Sequence, residues 1–236
     1  FDIARVLHKR LGIAPENFLS ITQDAAPIRD LDPKAPSLEG YLFPDTYRFE
    51  YHVTAAHIAM KMLARFREIL NQDFQQDLSR SGNNLHRVMT LASLIEKETP
   101  DADERPIIAQ VFELRLEKGM LLQCDPTVAY AAEMSRLPRA PITESDLNLK
   151  SPYNTYVHSG LPPGPICNPG KASILAALHP ASTHYLFFVS NNHGGHRFAR
   201  TLAEHQRNVA RYRKQAAALR QLSPDKARTS QRTHKK

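Results

Sequence analysis

Two glutamates, Glu96 and Glu98, close a segment whose apolar residues recur at helical spacing, which predicts a helix over residues 85–98. With Val88 taken as zero, Glu96 falls at about +80° around the helix axis and Glu98 at about −80°. The two carboxyl groups therefore border the buried face from opposite sides and do not converge on one bond. If this helix does carboxylate chemistry, we expect one glutamate to react and the other to support it.

Glu98 is the better candidate for a general acid. It stands at the predicted helix C-terminus, where the negative end of the macrodipole disfavours ionisation and raises a carboxyl pKa. Glu96 lies further inside the helix, where a neighbouring cation such as Arg105 would hold it ionised. The alternative is that both glutamates are surface carboxylates in ordinary ion pairs.

Polar residues among rigid prolines supply further candidates in the loop-rich region 120–170. Amides, hydroxyls and tyrosine rings on a fixed backbone suit a carbohydrate, whose hydroxyls need hydrogen bonds and whose ring faces stack on aromatics. The alternative is a set of turns that hold the loops together. The segments are Gln123-Cys124-Asp125-Pro126-Thr127, Tyr153-Asn154-Thr155-Tyr156 and Gly160-Leu161-Pro162-Pro163-Gly164.

The histidines and cysteines do not form a recognisable metal or nucleophile motif, so we predict neither a metal nor a cofactor. His193 and His196 flank two glycines in a predicted turn, without the tight spacing and carboxylate of a metal site. Cys124 and Cys167 lack an adjacent base in the sequence, and the pair is either two free thiols or one disulfide. Two cysteines are too few for a disulfide scaffold or a four-thiolate zinc site.

The charge of the chain is concentrated at one end. Its 236 residues contain 31 Lys+Arg against 24 Asp+Glu, a net charge of +7. Residues 207–236 hold ten basic side chains and one acid, a charge of +9, so the preceding 206 residues carry −2. The basicity therefore belongs to a C-terminal segment, and nucleic-acid binding by that segment is the alternative it raises. No run approaches the roughly 18 apolar residues that cross a bilayer.

The elements that position these groups predict an α+β fold of mixed helices and short strands. Helices are expected over 1–19, 54–78, 85–98, 104–118, 171–178 and 201–221, with the break Gly82-Asn83-Asn84 capping the third and Asp101 or Asp103 capping the fourth. Strands are expected at Tyr185–Ser190, at Phe198, and as an aromatic hairpin or bent strand over 41–49. Residues 24–38 are expected to form a linker or extended loop.

Several ordered motifs together resemble the MltG/YceG-like family of endolytic murein transglycosylases. The resemblance covers roughly residues 38–213. Its motifs are LEGYLFPDTY (38–47), ASLIEKET (92–99), QCDPTV (123–128), SPYNTY (151–156), GLPPGPICNPG (160–170), HPA (179–181) and YLFFVS (185–190).

The resemblance implies cleavage of the MurNAc–GlcNAc bond within peptidoglycan strands, without water, to leave a 1,6-anhydroMurNAc end. It implies Glu98 as the single catalytic residue, which agrees with the helix-end argument. We assign supporting roles to Glu96, Gln123 and Asp125, and substrate binding to Tyr41, Asn154, Thr155 and Tyr156. The alternatives are a glycoside hydrolase, with Glu98 as acid and Asp125 activating water, and a peptidoglycan-binding module without activity.

The resemblance also implies the surroundings of the enzyme. Family members carry a membrane-spanning helix and a LysM-like subdomain before the catalytic domain, so we expect an inner-membrane protein with a periplasmic catalytic domain. Phe1 follows no initiator Met, and we expect the anchor upstream of this sequence. The predicted division is the end of the LysM-like subdomain with a linker (1–37), the catalytic domain (38–213) and a basic, disordered tail (214–236). The expected partners are glycan strands, whose elongation the cleavage would end, and peptidoglycan synthases, with no nucleic acid.

Overall fold

The computed structural model describes residues 1–135 and 142–222, and it begins with two helices where one was predicted. Helix α1 spans Asp2–Leu11 and α2 spans Pro15–Gln23. Gly12, between them, has a φ of 69°, a left-handed conformation that ends a helix, and its N–H donates to the carbonyl of His8. The prediction of a single helix over residues 1–19 is therefore wrong, because apolar spacing continues across a glycine that terminates the first helix.

The region 54–81 forms one long helical stretch with an internal irregularity. Helix α3 spans Ala55–Ile69, a π-helical turn follows over Leu70–Phe74, and α4 spans Gln75–Ser81. Thr54 caps α3 by accepting a hydrogen bond from the His57 N–H. The stretch thus confirms the predicted amphipathic helix and extends it by three residues.

Helix α5, Leu85–Glu98, is the central helix of the fold and ends where the sequence predicted. The Asn84 side chain accepts a hydrogen bond from the Arg87 N–H, which confirms the predicted cap. Helix α6 spans Arg105–Glu117 and packs on α5. Glu104, not Asp101 or Asp103, precedes α6 as its N-terminal flanking residue, and its side chain makes no capping bond to the helix.

The region 120–170 contains a helix that the sequence did not predict. Helix α7 spans Asp125–Ser135, and a 3₁₀ helix spans Glu144–Asn148. Pro126 stands in the first turn of α7, where its missing N–H and fixed φ are tolerated. The prolines of this region predict loops, but proline in the first turn of a helix is instead a helix-start signal. The predicted loop residues Pro138 and Pro141 lie outside the described residues.

The C-terminal part confirms the predicted α+β character. Helix α8 spans Lys171–Leu178 and packs against α5, and the strands β1 (Phe187–Ser190) and β2 (His196–Ala199) pair antiparallel. Helix α9 spans Leu202–Leu222 and packs on this hairpin. It continues past residue 214, where the tail was predicted to begin, and residues 223–236 lie outside the described part of the chain.

The aromatic segment 41–49 forms no strand, which corrects the prediction of a hairpin or bent strand. Its start is held by a side chain, because the Asn168 Oδ1 accepts hydrogen bonds from the N–H groups of Gly40 (2.8 Å) and Leu42 (2.9 Å). Tyr41 is fully buried there. The aromatic residues of this segment therefore contribute to the core and not to a sheet.

In the described ranges, no helix is both long and apolar enough to span a bilayer. The buried apolar residues form one core cluster, to which α1, α2, α3, α5, α6, α7 and α8 all contribute. Nine of the residues in α5 are buried, and they reach from Leu85 to Ile95. The two glutamates therefore stand at the point where the central helix leaves the core.

We predict that Gly40→Ala is strongly destabilising. Gly40 has a φ of 96°, and a Cβ there would come within 2.4 Å of the Pro165 Cγ, an overlap that neither rigid loop relieves. The left-handed backbone and the overlap together should cost about 3–4 kcal/mol of unfolding free energy. Gly12→Ala is the matched control, since Gly12 also has a positive φ but nothing lies within 4 Å of an added Cβ. Urea denaturation of both variants measures the difference, and equal losses would contradict the predicted overlap.

Candidate active site

Glu96 and Glu98, at the end of α5, contact different parts of the fold. Glu96 meets the start of α8, whereas Glu98 meets the segment before α7 and the hairpin side of the molecule. This divergence agrees with the opposite angular positions expected on a regular helix. The two carboxylates do not form a pair around one point.

Glu96 is held by helix α8. Its Oε2 accepts hydrogen bonds from the Gly170 N–H at 3.1 Å and from the Ser173 hydroxyl at 2.7 Å, and Ser173 is fully buried. A carboxylate at a helix N-terminus satisfies otherwise unpaired N–H groups and interacts favourably with the helix dipole. The expected partner, Arg105, is not among these contacts, so that expectation was wrong. Glu96 joins the two central helices.

Glu98 has the electrostatics of a general acid. Its side chain is half-buried, and its pKa is raised from 4.5 to about 7, with burial as the largest cause. The nearby Asp125 carboxylate raises this pKa further, while a hydrogen bond from the Cys124 thiol and the charges of His196 and Arg115 lower it. The direction agrees with the helix-end argument, but the main physical cause is removal from water and not the macrodipole.

The segment Gln123-Cys124-Asp125 passes directly beside Glu98. Gln123 is exposed and has a φ of 49°, a left-handed conformation that is uncommon outside glycine and is found at functional sites. Its N–H donates to the Thr155 carbonyl at 3.1 Å. The Cys124 N–H donates to the Thr155 hydroxyl at 3.0 Å, and the hydroxyls of Thr127 and Thr155 lie 2.9 Å apart. These bonds fix the segment against the loop 151–156.

Asp125 and Tyr156 form the accessible polar part of the site. Asp125 is exposed in the first turn of α7, and it accepts a hydrogen bond from the Tyr156 hydroxyl. Burial and, after it, this contact raise the Tyr156 pKa, so the phenol stays protonated. Both predicted residues are therefore accessible and close enough to Glu98 to affect it or be affected by it electrostatically.

Three predicted substrate-binding residues are inaccessible, which corrects those assignments. Tyr41 is fully buried and its hydroxyl donates to Asp32. Asn154 is also fully buried, and its amide bonds the carbonyls of residues 147 and 149 and the Tyr156 N–H. Thr155 is 1% exposed and binds the Cys124 segment. Their polar groups form hydrogen bonds within the fold. This agrees with the alternative that such residues stabilise turns and do not bind a ligand.

Arg115 is a functional candidate that the sequence reasoning missed. It is 7% exposed, and its guanidinium donates to the carbonyls of Leu186 (2.7 Å) and Leu122 (2.7 Å). Burial lowers its pKa, while the charge of Glu98 raises it. Its position in the sequence could have identified it. Arg115 continues the apolar face of α6 that Val111 and Phe112 form, and a cation on such a face is exceptional.

His196 was expected to be a surface or hairpin histidine, and the structure gives it a defined partner. Its ring Nδ1 lies 2.7 Å from the Glu104 Oε2, and its backbone N–H donates to the Glu104 Oε1 at 2.7 Å. Glu104 also accepts from the hydroxyl of the buried Thr99 at 3.3 Å. Since Thr99 directly follows Glu98, Glu104 ties the end of α5 to strand β2.

A cavity of about 530 Å³ opens beside the end of α5. Glu96, Asp125, Tyr130 and Asn168 are among its lining residues, and Glu98 is not. Asp125 therefore belongs both to the lining of the cavity and to the surroundings of Glu98.

The two cysteines are free and buried, which decides between the alternatives left open by the sequence. Burial and the Glu98 carboxyl raise the pKa of the Cys124 thiol, so it acts as a neutral hydrogen-bond donor and not as a nucleophile. Within residues 1–135 and 142–222, no group of three or more His, Cys, Asp or Glu side chains is arranged to hold a metal ion.

Known proteins resemble this chain over most of its length. The model of the YceG-like family matches residues 2–211. An endolytic murein transglycosylase of Bacillus subtilis is 41% identical over 175 residues, which are 74% of this chain and 48% of that protein. One of Streptococcus pneumoniae is 31% identical over 192 residues, 80% of this chain and 34% of that protein. The chain thus spans about half the length of the first relative and a third of the second.

The fold also matches a solved structure. The crystal structure of a yceG-like protein from Listeria monocytogenes superposes with a TM-score of 0.77 at 34% sequence identity. The match covers 87% of this chain and 71% of that one.

We predict that Glu98→Gln stabilises the fold in a pH-dependent way. The folded pKa of about 7 exceeds the ordinary value of 4.5, so ionisation opposes folding. Below about pH 4.5 Glu98 is protonated in both the folded and the unfolded chain, so its ionisation costs no stability. As the pH rises from about 4.5 to about 7, the unfolded chain ionises first and the free energy of unfolding falls. The variant should therefore equal the wild type at low pH and exceed it by up to about 3 kcal/mol above pH 7. Urea denaturation across this range measures the effect, and a difference that is constant with pH would contradict it.

Glu96→Gln is the matched control for that experiment. It weakens the acceptor of the Gly170 and Ser173 hydrogen bonds, so we expect a loss of about 1–2 kcal/mol at neutral pH.

A further prediction concerns Glu104. Glu104→Ala removes the acceptor of the Thr99 hydroxyl and of both His196 donors, and should destabilise the fold by about 2–3 kcal/mol. Hydrogen exchange should rise at the end of α5 and in β2, since these are the elements that Glu104 joins. Asp103→Ala is the control, because Asp103 is an exposed neighbour in the same turn. Unchanged exchange in both elements would show that Glu104 does not couple them.

Proposed function

Since this chain belongs to the YceG-like family, we propose that it is an endolytic murein transglycosylase. It cleaves the MurNAc–GlcNAc bond within a glycan strand and leaves a 1,6-anhydroMurNAc end. The observation that carries the proposal is the half-buried Glu98 with a pKa of about 7, beside an accessible polar segment. One such carboxyl is enough for this reaction, whereas hydrolysis usually uses two.

In the proposed mechanism, Glu98 begins protonated. It gives its proton to the glycosidic oxygen as the bond from that oxygen to C1 of MurNAc breaks, which leaves an oxocarbenium-like centre. The C6 hydroxyl oxygen of the same sugar then bonds to C1, and its proton passes to the Glu98 carboxylate. The ring closure therefore regenerates protonated Glu98, and no water enters the products.

The neighbours of Glu98 support both halves of this cycle. A pKa near 7 keeps the carboxyl close to evenly divided between acid and base forms at neutral pH, which suits a group that gives and then takes a proton. The thiol of Cys124 and the charges of Arg115 and His196 stabilise the carboxylate form, so the acid can release its proton. Glu96 supports the site indirectly, by holding α8 against the helix that carries Glu98.

Substrate contact is proposed for Asp125 and Tyr156, with Gln123 beside them. Asp125 lines the cavity and Tyr156 bonds to it, so one hydrogen-bonded pair faces a strand that approaches Glu98. Gln123 is exposed and held in its strained conformation by the Thr155 carbonyl. An amide, a carboxylate and a phenol are suited to sugar hydroxyls and to the acetamido groups of the glycan.

Location and partners are part of the same proposal. We infer that the catalytic domain works on the outer side of the inner membrane, with an anchor and the rest of a LysM-like subdomain in segments outside this sequence. The Bacillus subtilis relative supports this inference, because about half of its length lies beyond the matched region. Cleavage within a strand would end its elongation, which makes murein synthases the expected partners.

A second candidate function is a glycoside hydrolase with Asp125 as the base that activates water. The exposed Asp125 carboxylate, close enough to Glu98 to raise its pKa, is the observation that favours it. In that reaction the cleaved strand ends in a reducing MurNAc and not in the anhydro form.

Digestion of intact murein tests these proposals. Glu98→Gln should reduce strand cleavage by at least about a thousandfold, because the amide cannot transfer the proton. Glu96→Gln should retain activity, since its carboxylate acts on α8. Mass spectrometry of the wild-type products should show anhydroMurNAc ends. Reducing ends that disappear in Asp125→Asn would establish the hydrolase, and an active Glu98→Gln beside an inactive Glu96→Gln would reverse the assignment of the acid.

A further inference from the structure

The exposed side of helix α9 carries a row of cations. Arg207, Arg211 and Lys214 are all exposed. At about 100° per residue they lie within about 60° of one another around the helix, and the row is about 10 Å long. These three residues are called the basic row below.

The orientation of the basic row is set by the opposite face of α9. The ring of His205 stacks on Phe187 of strand β1 with centroids 5.2 Å apart. The Asn192 Nδ2, in the hairpin turn, donates to the Tyr212 carbonyl at 3.1 Å. Since α9 is fixed to the hairpin by this face, the basic row is held pointing away from the body of the molecule.

One acid, Glu204, partly offsets the row: hydrogen bonds from the Arg200 and Thr201 N–H groups and the charges of Arg207 and Arg200 lower its pKa. Glu204 is the only acidic residue in the sequence of α9, and it accepts hydrogen bonds from the N–H groups of Arg200 (2.9 Å) and Thr201 (3.2 Å) at the helix start. The next acid is Asp225. The row therefore belongs to a segment with a net charge of +9, whereas the other 206 residues carry −2. An anionic partner would be attracted to this face and not to the catalytic body.

We propose that the basic row docks on the surface of an anionic phospholipid bilayer, with the guanidinium and ammonium groups on headgroup phosphates. Arginine presents a planar fork of donors that matches phosphate oxygens. Ala210, Ala217 and Ala218 lie exposed beside the row, and their small side chains leave room for its charged groups to approach a flat surface.

Lipid is favoured over nucleic acid by the same face. The rings of Tyr212 and His205 lie about 140° and about 160° from Arg207 around the helix, on the side that meets the hairpin, so the row lacks a ring for base stacking. The choice also rests on the proposed function, since a murein-cleaving domain works beside a membrane. Docking would hold the domain at the surface where new strands emerge.

Vesicle co-sedimentation of the whole chain, without murein, tests the proposal. We expect binding to phosphatidylcholine vesicles that contain about one third phosphatidylglycerol, and no binding to phosphatidylcholine alone. The triple variant Arg207→Gln, Arg211→Gln, Lys214→Gln should lose about a hundredfold in partitioning, about fivefold per charge. Binding of the wild type should fall as salt rises from about 0.1 M to about 0.5 M.

The control removes the same charge elsewhere. Arg10→Gln, Lys34→Gln and Lys118→Gln replace three exposed cations away from α9 and should leave binding unchanged. Equal binding by the α9 variant and the wild type, or an equal loss in the control, would overturn the proposal. Tighter binding of the wild type to duplex DNA than to the vesicles would overturn the choice of lipid. Because no murein is present, an inactive enzyme that still binds vesicles would contradict only the proposed function.

Discussion

The packing of α5 against α8, joined by the Glu96 carboxylate, is the interaction on which the rest of the structure depends. Most of α5 is buried, so its orientation is determined by its neighbours and not by solvent. Glu96 sits where this helix leaves the core, and it bonds the Gly170 N–H and the Ser173 hydroxyl at the start of α8. A partly buried carboxylate needs such donors, and the start of a helix needs such an acceptor. Glu96 meets both requirements at the start of α8. Glu98, on the other side of α5, therefore points away from α8.

Glu98 stands in an environment that opposes its ionisation. Burial raises its pKa to about 7, and the thiol of Cys124 with two nearby cations limits the rise. A folded protein tolerates such a group only because the surrounding structure is held rigidly by other contacts, here the bonds of Glu104 to Thr99 and His196. In the proposed mechanism, this loss of stability at neutral pH accompanies a proton that can leave Glu98 and return to it.

Charge and chemistry are separated in this molecule. The groups around Glu98 come from α5, α6, the segment before α7 and the hairpin, and they combine acids and cations in nearly equal number. The cationic face belongs to α9, which packs on the hairpin whose strand β2 carries His196. The hairpin therefore connects the catalytic groups to the face proposed to meet the membrane.

The sequence by itself determined the features that depend on local periodicity. It predicted the limits of α5 and its Asn84 cap, the helix α8, the β-hairpin, and the divergence of Glu96 from Glu98, because helical angles follow from residue number alone. It went wrong where one residue overrides periodicity, as at Gly12, and where Pro126 begins a helix instead of a loop.

Only the tertiary structure decided which polar side chains are accessible. Tyr41, Asn154 and Thr155 have the residue types of a sugar site, yet each is buried. Their side chains form hydrogen bonds with Asp32, with the carbonyl of residue 147 and with the Cys124 N–H, respectively. Arg115 reaches the surroundings of Glu98 from the next helix, and His196 reaches them from strand β2, 98 residues further along the chain. Burial and long-range proximity depend on how helices and loops pack, and neither quantity follows from spacing along one segment.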